Sequence, residues 1–294
     1  EVAGRTLLES PLSSFGAGIE TEGIFVPHPQ TGWALPPSRQ FRFAGQPVIT
    51  NTLGLRGPEP VPDDSTRIVV VGDSTPFGHG VSGPDSFPSL LEKRLSETQP
   101  VQVQNAGVPG FTCPQSSLQL DRIATHFQPD ILVLYQMNTD ATRVESQDKV
   151  ALIGLSPLLL ETGLGRLSIA AAAAYRPQRP RERVSLSRYK KCLEEMLVQQ
   201  ANRQAQSLLV VPVSRFDFGK PAGFEHPGMG ALADYRAAVR ELAEKHHVPI
   251  LDMPITVQRL KLSANEHLLD EVHPTKTGHT FIADAIADLL QNEI

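Results

Sequence analysis

Cysteine is nearly missing from this chain: 294 residues hold only Cys113 and Cys192. Two thiols exclude a disulfide scaffold and a cysteine-only zinc site, and the pair reads as buried free thiols in preference to a bridge. An excess of either charge is missing too. The 27 Lys and Arg against 32 Asp and Glu leave a net charge of −5, which gives no electrostatic reason to expect nucleic acid or an anionic membrane as partner. No apolar run reaches the ~20 residues needed to cross a bilayer. Residues 152–174 come nearest, but Glu161, Arg166 and three glycines interrupt them. Neither "FEHPGMG" (224–230) nor His246-His247 has the spacing of metal ligands. Methionine is absent from position 1, where Glu1 stands. That start predicts a removed segment, whether a signal peptide, a membrane anchor or an arbitrary boundary, and it leaves location open.

What remains is the composition of an ordinary globular protein, 40% hydrophobic and 20% charged. The length suits one large α/β domain or two small ones. Residues 1–66 are rich in proline and turn formers, as in "VPHPQTGWALPPS" and "RGPEPVPDDS". They read as an irregular leader wrapped on a core. Within it, "NTLGLRG" (51–57) reads as a structural loop whose arginine makes a salt bridge, with a substrate contact as the other option.

From residue 67 the pattern alternates. Strands are predicted at "RIVVV" (67–71), "VQVQ" (101–104), "DILVLYQ" (130–136), "SLLVVPV" (207–213) and "VPIL" (248–251). Helices are predicted over 86–97, 114–127, 185–206, 231–246 and 276–291. Such alternation implies a mostly parallel five-stranded sheet with helices on both faces, a three-layer α/β/α, flavodoxin-like core. Residues 141–184 break the alternation and are expected to form either a lid over a site or a helical excursion packed on the core.

"RIVVVGDSTPFGHGV" (67–81) poses the functional question. Residues 78–83, "GHGVSG", match G-x-G-x-x-G. A dinucleotide site needs that motif directly after the first strand and an acid ending the second. Here five residues intervene, Pro84 follows, and the second strand ends at Asn105. The glycines therefore read as turn residues, and Ser74 as a nucleophile.

A nucleophile needs a base, an orienting carboxylate and oxyanion donors. "LLDEVHPTKTGH" (268–279) offers Asp270 and His273, three apart. On one turn that spacing lets the carboxylate reach imidazole Nδ1 and leaves Nε2 to take a proton from Ser74. "NAGVPGFT" (105–112) offers the Gly107 N–H and "QMNTD" (136–140) the Asn138 amide, which join the Ser74 N–H as donors. Ser74, Gly107 and Asn138 each follow the C-terminal end of a predicted strand, the edge where open α/β sheets bind ligands. Asp73 reads as a carboxylate pinning the loop, His79 as either an entrance residue or an exposed loop histidine, and Cys113 as packing.

Together these four blocks resemble the SGNH hydrolases, the GDSL-like esterase superfamily, over residues 67–294. "NTLGLRG" also resembles segments that precede this domain in some bacterial members. The resemblance implies a three-layer α/β/α fold, a Ser74–His273–Asp270 triad, and neither metal nor organic cofactor. Two departures stand out. Gln136 replaces the glycine and Thr139 the aspartate of the usual Gly-x-Asn-Asp, and Gln136 is expected to narrow the pocket. The activity implied is hydrolysis of acyl esters, acetyl first, on a small molecule or a glycan, by an exported or anchored protein. Two alternatives stay open: an O-acyltransferase using the same triad, and a catalytically silent binding domain.

Overall fold

Short runs of branched apolar residues become strands because Val and Ile suit a pleated surface buried on both faces. In the computed structural model, residues 24–144, 181–221 and 231–293 are described. Most of the 141–184 stretch, and "FEHPGMG", lie outside the described residues.

The leader holds two hairpins where irregular chain was expected. β1 (Val26–His28) pairs with β2 (Gly32–Ala34), and β3 (Gln40–Phe43) with β4 (Gln46–Ile49). Strands of three or four residues are too short to show a period. The second turn uses Ala44-Gly45, both at positive φ, without the Asn-Gly that normally signals such a turn.

The core follows: β5 (Thr66–Gly72), β6 (Val101–Gly107), β7 (Ile131–Tyr135), then β8 (Arg143–Val144) and β9 (Arg181–Glu182) as a minor pair, β10 (Gln206–Val211) and β11 (Ile250–Asp252). The main sheet has order β11-β10-β7-β5-β6, and every pairing in it is parallel. Its helices are α1 (Ser74–Phe77), α2 (Phe87–Leu95), α3 (Cys113–Phe127), α4 (Asn138–Ala141), α5 (Leu186–Asn202), α6 (Ala231–His246), α7 (Met253–Arg259), α8 (Ala264–His267) and α9 (Lys276–Glu293). The predicted strands and long helices match these spans to within a few residues; the short α1, α4, α7 and α8 were not foreseen.

Strand alternation sorts the two cores. Val69, Val71, Leu132 and Leu134 face one helical layer with Leu120, Leu193 and Val239 of α3, α5 and α6. Ile68, Val70 and Val133 face the other with Leu91 of α2 and Ile282 and Ile286 of α9. Each such side chain contributes roughly 1.5–3 kcal/mol by leaving water. A third cluster joins Phe43 and Val48 of the leader to Phe77, Val108 and Phe111 beside the strand ends.

The cysteines correct the sequence reading. Cys113 and Cys192 form a disulfide, with Cα atoms 6.2 Å apart, well inside the bridging range. It ties α3 to α5, two helices of one layer. The 79-residue separation hid that neighbourhood.

Candidate active site

Gly72 at the end of β5 lies opposite Gly107 on β6 and Tyr135 on β7, so three chain segments leave the sheet at one level. A Cβ at Gly72 would sit 2.0 Å from Tyr135 O, so no other residue lets the strands close there. Asp73 then caps α1, its Oδ1 accepting the Thr75 N–H at 3.1 Å. Its Oδ2 accepts the Thr139 hydroxyl at 3.0 Å and the Thr139 N–H at 3.3 Å. Burial pushes the Asp73 pKa up, against those hydrogen bonds. Asp73 thus joins the Ser74 turn to the Asn138 turn. Thr139, the departure from the family pattern, supplies the joint.

Ser74 opens α1, and its Oγ lies 2.8 Å from His273 Nε2. His273 comes from the loop before α9, 199 residues away. Its Nδ1 is 2.6 Å from Asp270 Oδ2. Asp270 Oδ1 accepts the backbone N–H groups of Val272 and His273 at 2.9 and 2.8 Å, which fold the three-residue spacing into one tight turn. Partial burial would raise the Asp270 pKa, but the His273 ring and the two N–H groups outweigh it and hold the carboxyl well below the usual range. The carboxylate is therefore charged at neutral pH and fixes the proton of His273 on Nδ1. Nε2 is left as the acceptor facing Ser74.

Asn138 opens α4. Its Nδ2 is buried and has no hydrogen-bond partner among the described residues. A buried amide donor left unpaired costs about 1–3 kcal/mol, so an unused one beside the Ser74 turn is a candidate oxyanion donor. Gly107 is different, and here the sequence expectation is corrected. Its N–H donates to Asn105 Oδ1 at 3.0 Å. Its lack of a side chain serves packing, because a Cβ there would lie 2.2 Å from Phe77 N. Three residues on, Gly110 is buried at φ 78, the third residue of a turn closed by Phe111 N–H to Val108 O at 3.0 Å. Neither the Gly110 N–H nor that of Ser74 is donated to another described residue.

Gln136 does not narrow the site. Only 1% exposed, it points into the α3 layer. Its Nε2 donates to Phe111 O at 3.1 Å and Asp140 Oδ2 at 2.6 Å, and its Oε1 accepts the Ser116 hydroxyl at 2.8 Å. Asp140 also accepts the Cys113 N–H at 2.8 Å, and burial raises its pKa to about 7. Arg56 of "NTLGLRG" makes no salt bridge among the described residues. Its guanidinium donates to the carbonyls of Phe77, Gly78 and Val81 at 2.7, 2.8 and 2.9 Å and lies over the Phe77 ring. Sequence reasoning missed the roles of Arg56, Asn105 and Gly110. Only the glycine spacing and the one arginine of "NTLGLRG" hinted at them.

Comparison with known proteins places this geometry. The profile of the GDSL-like Lipase/Acylhydrolase family matches residues 70–281. Among solved structures, a lipase/acylhydrolase from Enterococcus faecalis shares 18% identity at TM-score 0.52, covering 76% of this chain and 93% of its own. Axe2, an acetylxylan esterase from Geobacillus stearothermophilus, shares 16% at 0.50, covering 78% and 95%. The acetyl xylan esterase AlAXEase shares 15% at 0.52, covering 76% and 98%. Among curated proteins none matches the sequence. Because the family profile takes in the Ser74 strand, the Asn138 turn and the His273 loop together, the chain belongs to the GDSL-like lipase/acylhydrolase family of carboxylic ester hydrolases.

Proposed function

We propose that the chain hydrolyses short acyl esters, acetyl esters of carbohydrates first, through an acyl-Ser74 intermediate. The observation that carries this is the unbroken line Asp270–His273–Ser74, with contacts of 2.6 and 2.8 Å. His273 Nε2 takes the Ser74 proton as Oγ bonds to the ester carbonyl carbon. The oxyanion is held by the N–H groups of Ser74 and Gly110 and by Asn138 Nδ2, donors already unpaired and fixed before substrate arrives. The bond to the alcohol oxygen breaks, and that oxygen leaves with the proton from His273. Water then attacks the acyl carbon, giving its proton to His273, and the carboxylic acid departs as Ser74 regains its hydrogen.

The acetyl and carbohydrate parts rest on two of the structural neighbours being acetyl xylan esterases. Export is proposed on the Cys113–Cys192 bridge, since disulfides persist in oxidising compartments. The test is acetate release from acetylated xylooligosaccharides beside a series of p-nitrophenyl esters of rising chain length. The reading expects activity to fall with acyl length and to vanish in Ser74→Ala. A preference for long acyl chains would move the substrate to lipid esters. Acetyl transfer to an added sugar in place of water would make the protein an O-acyltransferase.

A further inference from the structure

Gly78-His79-Gly80, the front of the discarded phosphate motif, touches both ends of the Ser74–His273 pair. The His79 N–H donates to Ser74 O at 3.0 Å. The His79 ring lies on the His273 ring, centroids 4.1 Å and planes 23° apart. Phe43 of β3 backs it edge-on at 5.4 Å, and Phe43 itself packs edge-on against Phe77 of α1. The glycines permit this approach. Gly78 ends α1 at φ 87, and a Cβ on Gly80 would sit 2.5 Å from Leu269 Cδ1. Leu269 in turn donates its N–H to His273 O at 2.8 Å.

We propose that His79 is a positioning residue for the base: an aromatic plate, backed by Phe43, that fixes the plane of the His273 ring so that Nε2 stays on Ser74 Oγ. This rests on the reading of Ser74 and His273 given above. When Ser74 becomes acylated, His273 Nε2 loses its Oγ partner. The Asp270 contact alone is a single pivot, so the stacked face is what resists rotation of the ring. The His79 ring nitrogens make no hydrogen bond among the described residues, so its use lies in the ring face and another aromatic can replace it. Burial, then the neighbouring His273, hold the His79 pKa down to about 4, with Asp270 opposing. A neutral ring tolerates the imidazolium that forms on His273, where a second cation at this distance would repel it.

The experiment compares His79→Ala, His79→Phe, Phe43→Ala and the double variant His79→Ala/Phe43→Ala in the whole chain. It reads kcat and KM on p-nitrophenyl acetate, the rate of Ser74 labelling by a fluorophosphonate, and urea midpoints. Misplacing the base should lower kcat about 10- to 100-fold in His79→Ala, with KM within about twofold and labelling slowed in parallel. His79→Phe should recover most of that loss. The double variant should be no slower than His79→Ala, because Phe43 acts through His79. Unchanged kcat and labelling in His79→Ala, a change confined to KM, or no recovery with Phe would overturn the proposal while leaving the hydrolase reading intact. A wild type that neither labels nor turns over would overturn both.

Discussion

Replacing Arg56 by methionine should unfold the boundary between leader and active site. Arg56 is 4% exposed, and its guanidinium donates to three carbonyls that follow Ser74, those of Phe77, Gly78 and Val81. Methionine keeps the apolar stem but orphans the Val81 carbonyl, at roughly 1–3 kcal/mol. It also takes a charge-assisted bond of roughly 1.5–3 kcal/mol from each of the other two, which keep only the Asn105 amide at 3.4 Å on Phe77 O and the Val81 N–H at 3.3 Å on Gly78 O. Against that, burial holds the Arg56 pKa down to about 10, so removing the charge returns something like 3 kcal/mol. The net expectation is a loss of about 1–6 kcal/mol in urea unfolding. Catalysis should suffer beyond stability. A shift of about 1 Å in the α1 end and the glycine loop is enough to lower kcat about 100-fold, measured where the variant is still fully folded. Arg56→Lys should recover less than half, because one ammonium cannot span three carbonyls as a planar fork does. An unchanged urea midpoint with kcat within about twofold would refute the reasoning and make the leader's contacts incidental.

Three further outcomes are expected. Asn138→Ala removes the unpaired amide and should lower kcat about 100- to 1000-fold with KM little changed; an unaltered kcat in steady-state assays would take Asn138 out of the oxyanion site. Opening the Cys113–Cys192 loop in the double serine variant should cost up to about 4.5 kcal/mol on the chain-entropy account, given the 79-residue separation, and an unmoved urea midpoint would contradict a formed bridge. Burial, chiefly, holds His79 at about 4 and His279 at about 3, below the ~6.5 of an unfolded histidine. The fold therefore favours their neutral forms. That stabilisation is whole above about pH 6.5 and drains as pH falls toward the folded values. Asp270 and His273 face His79 across the stack and Phe43 backs it, so His79→Phe should flatten the decline between about pH 6.5 and 4. An identical slope in urea titrations would show that His79 titrates as if unfolded.

Much of this was legible from short-range pattern. Ser74 and Asn138 sit at strand ends that apolar runs announce, and Asp270 and His273 need only a three-residue turn. What escaped depended on who neighbours whom. Gly107 and Gly110 share one hexapeptide, and only the Asn105 side chain, by claiming the Gly107 N–H, separates a packing glycine from a free donor. Gln136 looked like a wall of the pocket because its residue type carries no direction; the hydroxyl of Ser116 and the carboxyl of Asp140 draw it into the α3 layer. The His79 stack requires two loops 194 positions apart to meet. The disulfide needs α3 and α5 side by side. Neither distance leaves a mark on local periodicity. The hairpins of the leader were missed for the opposite reason, being too short to carry any.

The central claim is that Ser74 is acylated through His273, and intact-mass analysis after treatment with a fluorophosphonate tests it most directly, run beside p-nitrophenyl acetate turnover in wild type, Ser74→Ala and His273→Ala. The account predicts one adduct per chain on the wild type, none on Ser74→Ala, strongly slowed labelling in His273→Ala, and turnover that follows the labelling. A wild type that stays unlabelled and inactive, or an adduct that persists in Ser74→Ala, would contradict it.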